Sequence, residues 1–80
     1  MSLITSEQCR AARALLDWTQ GDLARAARLS AVTIRAFERG GEMRESNRSL
    51  LRMTLERAGV EFIADNGGGP GVRLRKKARG

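Results

Sequence analysis

Residues 19–40 read TQGDLARAARLSAVTIRAFERG. Thr19 is a helix cap, and Asp22 stands three residues on, as in a capping box with Asp in place of Glu. Leu23, Ala24 and Ala27 then line one face, which predicts a helix over about 20–27. It is only two turns long, so tertiary packing must hold it. After a break at Arg28 and Leu29, Ser30 caps again, and Ala31 to Arg39 reads as a further helix. Its inward stripe is Ile34 and Phe37; its outward positions are Ala31, Val32, Arg35, Ala36 and Arg39. Gly40 and Gly41 end it, as glycines do at helix C-termini. Ala24 must be small because the second of these helices crosses the first there. Gly21 costs about 1 kcal/mol relative to Ala, which marks either tolerance or the close approach of a ligand near the helix start.

Outward from this stretch the periodicity continues. Ser6 can cap a first helix over about 6–16, with Glu7 favourable in its first turn. Cys9, Ala12 and Leu16 recur at helical spacing, with Leu15 beside them, and Asp17 tolerates a left-handed turn. Trp18 is a packing residue at the junction that follows. Residues 40–46 form a polar loop in which Met43 is given no role. Ser46 or Asn47 caps a helix over about 47–58, whose Leu50, Leu51, Met53, Thr54, Leu55 and Ala58 give a wide apolar face, and Gly59 stops it. Val60-Glu61-Phe62-Ile63 is short and β-prone. A turn-rich stretch, Asp65 to Gly71, leads to Val72-Arg73-Leu74-Arg75, which alternates apolar and basic. A β-hairpin of about 60–63 with 71–75 follows. Alone it is marginal, so it must pack on the helices or meet a second subunit.

The chain has 80 residues, 15 Lys+Arg, 9 Asp+Glu and a formal net charge of +6. Four of those six charges lie in residues 65–80, where five Lys+Arg stand against Asp65 alone. The basic run of Arg73, Arg75, Lys76, Lys77 and Arg79 is either a solvated end or a phosphate-seeking arm, which would add salt-dependent affinity without sequence choice. The chain has one Cys and no His. That leaves no internal disulfide, nearly excludes a zinc site of the usual ligands, and removes any triad with a His base, so no enzyme, metal or cofactor is expected. No apolar run is long enough to span a membrane. Met1 to Arg10 lacks a leader pattern, and a cytoplasmic protein is expected. Cys9 reads as a small buried hydrophobe rather than a redox sensor. Trp18, Phe37 and Phe62 all read as buried, which argues against stacking single-stranded or RNA bases.

Two short helices joined by a tight break form a helix-turn-helix arrangement. The residues W18-T19-Q20, D22-L23-A24, L29-S30, T33-I34 and F37-E38-R39-G40 make the chain resemble the phage-repressor/Cro-like, or XRE, helix-turn-helix family over roughly residues 6–58. The resemblance implies a mainly α, compact lambda-repressor-like domain of four to five helices, here with a short C-terminal β-hairpin in place of the last element. Residues 1–64 would form the DNA-binding domain. Residues 65–80 would add a Gly-rich loop, a short strand and a basic tail, as part of it or flexible.

The resemblance also implies that the third helix enters the major groove with its N-terminal residues at the base edges. Ala31, Val32, Thr33, Arg35 and Ala36 would then face bases. The three apolar ones either touch thymine methyls or are plain helix surface, in which case Arg35, Thr33, Arg39 and DNA shape must supply specificity. Arg35 is the candidate for a guanine contact, with a phosphate as its second reading. Thr19, Gln20, Arg28, Ser30, Arg39, Arg44, Asn47 and Arg48 would lie along phosphates, helped by helix N-termini. Arg13 and Glu38 match positions of a partly buried ion pair in this family, or else are separate surface charges. Two departures stand out: Arg28 and Asp17 occupy places where Gly is usual. If residue 28 is left-handed, Arg there is strained by about 1 kcal/mol or more.

The function expected on this reading is a sequence-specific duplex-DNA-binding regulator, encoded by a bacterium, phage or mobile element. It would act as a homodimeric repressor or autoregulator on an inverted repeat, with helix 4 and the hairpin forming the dimer. No small-molecule ligand or membrane is implied. The alternative is an antitoxin-like or other protein-binding module with secondary DNA binding.

Overall fold

Thr5, Thr19 and Ser30 each precede a helix and turn a hydroxyl oxygen onto an otherwise orphaned N–H. Gln8 N donates to Thr5 Oγ1 at 3.0 Å, Asp22 N to Thr19 Oγ1 at 2.9 Å, and Thr33 N to Ser30 Oγ at 3.0 Å. At Thr5 and Thr19 the bond is returned by the side chain three residues on, completing capping boxes. These caps open α1 (Ser6–Leu16), α2 (Gln20–Ala27) and α3 (Ala31–Glu38). In the computed structural model, residues 3–75 are described. Lys76, Lys77 and Arg79, on which much of the basic-arm expectation rests, lie outside them. Ser6 is not the cap expected of it: it is the first helical residue, and its hydroxyl donates to Glu7. Thr5 takes the role because Gln8 stands in position to answer it.

The helix ends reuse one device. Asp17 and Arg28 are left-handed, both at φ 59°, and Gly40 is at φ 98°. In each case the next N–H reaches back five residues: Trp18 N to Arg13 O at 2.9 Å, Leu29 N to Ala24 O at 3.0 Å, Gly41 N to Ala36 O at 3.0 Å. A side chain at residue 41 would put its Cβ 2.8 Å from Ala36 O, so only glycine fits there. The fourth helix, α4 (Glu45–Arg57), begins and ends earlier than the 47–58 expected. Arg44 is its cap residue and offers no side-chain bond, while Ser46 and Asn47 sit inside the first turn. What fixes this end of α4 is Arg48, whose Nε donates to Ile4 O at 3.1 Å and whose guanidinium lies 5.5 Å from the Phe37 ring centroid.

β1 (Val60–Ile63) and β2 (Gly71–Leu74) form an antiparallel hairpin, Val60 opposite Leu74 and Phe62 opposite Val72. The strand ends one residue before the 75 expected. Four helices and this hairpin make a mainly α fold, with no fifth helix among the described residues. The core is Ile4, Cys9, Ala12, Leu23, Ala24, Ala27, Ile34, Phe37, Leu51, Leu55 and Val60. Trp18 and Phe62, expected to be buried, are half-buried around it, and Met43 gains a role there as a packing residue. The apolar face of α4 is narrower than expected. Leu51 and Leu55 are buried, whereas Leu50 and Met53 are 36% and 47% exposed. Gln8, buried at the first turn of α1, donates through Nε2 to Gly71 O at 3.0 Å and clamps the hairpin mouth to that helix. Among the described residues no helix is long and apolar enough to cross a membrane.

Candidate nucleic-acid interface

α2 and α3 are joined by Arg28, Leu29 and Ser30. Leu29 packs half-buried on the core, and the left-handed Arg28 swings the chain from one helix to the next. α3 is held from below by Ile34 and Phe37, both core residues, and by Glu38, a carboxylate only 3% exposed. The Glu38 carboxylate gathers four donors. Arg13 gives Nε at 2.8 Å and Nη2 at 2.7 Å, Gln20 gives Nε2 at 3.0 Å, and Cys9 gives Sγ at 3.2 Å. Arg10 adds a bond to the Glu38 carbonyl oxygen. Two helices therefore converge on the last turn of α3, and no described buried polar side-chain atom lacks a partner.

The electrostatics follow from this arrangement. Burial pushes the Glu38 carboxyl up, but the hydrogen bonds from Arg13, Gln20 and Cys9, with the Arg13 charge, outweigh it and hold the group below its ordinary range. Hydrogen bonding to Glu38 raises Arg13 further. Burial first, and then the bond to Glu38, push the Cys9 thiol far up, so it stays protonated as a donor.

The opposite side of α3 is uncommitted. Val32 is 67% exposed, and Arg35 and Ala36 are exposed beside it. Ala31, expected to point outward, is half-buried against the core. Thr33 is half-buried and its hydroxyl accepts from Ser30 Oγ at 2.8 Å. Arg28, Arg35, Arg39 and Arg44 are exposed, and none has a side-chain hydrogen bond or ion pair within the described residues. They run through the α2–α3 connection, α3 and the loop after it.

Other expected contacts are committed elsewhere. Gln20 spends one amide hydrogen on Glu38 and keeps one. Arg48 is turned to Ile4 and Phe37, so its fork caps the N-terminal segment instead of facing outward. Asn47 is half-buried, with its N–H on Arg44 O at 3.0 Å. Thr19 is engaged with Asp22, which leaves the Gln20 and Gly21 N–H groups without helical partners at the start of α2. Nothing in the described chain crowds Gly21: a Cβ there would meet only Thr19 Oγ1 at 3.6 Å and Arg25 Nη1 at 3.7 Å.

The bonds from Cys9 and Gln20 to Glu38 were not read from the sequence, nor was the Gln8 clamp. The Thr5-x-x-Gln8 spacing signals the capping box that Gln8 makes with Thr5, but not its bond to Gly71. No spacing rule could find Cys9, whose partner is 29 residues away. No protein-family model matches this chain, and no curated protein matches it.

Proposed function

We propose that the chain is a sequence-specific duplex-DNA-binding transcriptional regulator of the cytoplasm, with α2 and α3 acting as a helix-turn-helix. One observation carries the reading. α3 is locked on one side by Ile34, Phe37 and Glu38 and presents Val32, Arg35 and Ala36 on the other, flanked by Arg28, Arg39 and Arg44, whose side chains have no partner among the described residues. A helix so held can enter a major groove, which admits one α-helix. Arg35 can bridge guanine O6 and N7, while Val32 and Ala36 can meet thymine methyls. The arginines around them, the spare Gln20 hydrogen and the free N–H groups of α2 supply phosphate contacts. A single such helix reads few bases, so the protein works as a homodimer on an inverted repeat, joined through α4 and the hairpin, and regulates by occupying its site.

The test is a fluorescence-anisotropy titration of the purified protein against the DNA upstream of its own gene and against a scrambled duplex, at several salt concentrations. Tight, cooperative binding to the upstream DNA alone is expected. Equal and steeply salt-dependent binding to both duplexes would overturn sequence-specific recognition at that site. A stable complex with another protein and little affinity for either duplex would favour the protein-binding alternative.

A further inference from the structure

The register of the hairpin fixes which backbone groups point out of it. Arg75 N donates to Gly59 O at 2.6 Å, so the pair 59–75 is hydrogen-bonded. In an antiparallel ladder such pairs alternate with non-bonded ones. With Val60 opposite Leu74 and Phe62 opposite Val72, the bonded pairs are 61–73 and 63–71. The N–H and C=O groups of Val72 and Leu74 therefore point away from β1. No other described element accepts or donates to them.

The side chains tell the same story. Val60, Phe62, Val72 and Leu74 share one face of the hairpin. The first three are core or packed against it, yet Leu74 is 48% exposed. Leu15 stands seven residues after Gln8, on the stripe of α1 that Gln8 turns to the hairpin, and it too is 39% exposed. Both are apolar side chains on core-facing surfaces that the described residues leave uncovered. β1 shows nothing comparable, because all four of its residues are buried or half-buried, whereas residues 73–75 are all exposed.

We infer that a second copy of this chain pairs with the free edge of β2, antiparallel about a two-fold axis at Arg73, giving a four-stranded sheet. The edge is self-complementary in the required way. Its two outward residues, Val72 and Leu74, stand two apart, so each can exchange both backbone bonds with the other residue of the partner's strand. The same pairing brings the partner's apolar face over Leu74. Its cost is Arg73 facing the partner's Arg73, offset by Glu61, whose Oε1 lies 2.7 Å from Arg73 Nε. The inference rests on the hairpin-joined homodimer proposed above and specifies its strand pairing; it does not require that the dimer bind DNA.

The two-fold axis makes a sharp test. Residue 73 would meet its own copy as a non-bonded pair with Cα atoms about 4.5 Å apart, within disulfide range. Full-length Arg73→Cys is expected to oxidise to a covalent dimer of twice 8.8 kDa, while Glu61→Cys, on the inner strand, stays monomeric under denaturing conditions. Buried Cys9 does not compete. Val72→Pro removes an outward donor without touching the ladder to β1, so it is expected to leave the helical circular dichroism unchanged and convert the dimer to monomer in sedimentation. Leu74→Lys is expected to do the same. A protein that is monomeric throughout, or a dimer that neither crosslinks at residue 73 nor responds to Val72→Pro, would overturn the inference. A β2-linked dimer that binds no DNA would leave it intact and sink the proposed function instead.

Discussion

Arg28 combines a strained backbone with an exposed charge. It holds φ 59°, a conformation that strains any side chain by about 1 kcal/mol or more. Arg28→Gly should therefore raise the unfolding free energy by up to about 1 kcal/mol, less the extra unfolded-state freedom of glycine, read as a higher urea midpoint at an unchanged slope. On the proposed DNA-binding function, the same change should weaken binding equally for all sequences and lower the salt slope by about 1. Arg35→Ala should behave differently, costing about 1–3 kcal/mol on the specific site alone and relaxing choice at one base position. Glu38 gives the pH prediction. Its native pKa lies below the ordinary 4.5, so its contribution to stability is present above that value and is lost as pH falls through the native one. Glu38→Gln should flatten the acid side of the stability curve, measured as urea midpoint against pH. Arg28, Asp17 and the Thr19–Asp22 box were legible because each is a local rule read over a few residues. The Cys9–Glu38 bond was not, since it depends on where two helices cross.

At the level of elements, α4 shows what sequence rules miss. Ser46 and Asn47 are good caps by type, yet the helix starts before them at Glu45, after an Arg44 that makes no capping bond. Tertiary anchoring by Arg48 on Ile4 and Phe37 replaces the local signal. The missing cap is testable. Arg44→Ser should add about 1 kcal/mol of stability by supplying one, and on the proposed function it should also weaken DNA binding at low salt by removing a candidate phosphate contact. α3 behaves in the opposite sense, because its start follows from Ser30, its end at Glu38 falls one residue short of the Arg39 expected, and its inward stripe of Ile34 and Phe37 is buried as the spacing predicts. Ile34→Ala should cost about 2–5 kcal/mol in chemical denaturation. The hairpin was also legible in outline, since β-prone runs flank a glycine-rich turn. Its attachment to α1 was not, because Gln8 reads as an ordinary polar residue of a first turn.

For the molecule as a whole, α1 and the residues just before it are fastened to distant parts of the described chain. Gln8 reaches Gly71 across 63 residues, and Arg48 reaches Ile4 across 44. Contacts so distant in sequence close large loops, and the closure entropy must be met before they form. The helices, by contrast, are capped and stopped by neighbours a few residues away. Docking of the hairpin on α1 is therefore expected late in folding, and its release early in local opening. Native-state hydrogen exchange should find β1 and β2 opening together at lower free energy than the amides of α2 and α3. On that expectation the clamp at Gln8 marks the boundary between a part that persists and a part that lets go first, with α3 on the persistent side.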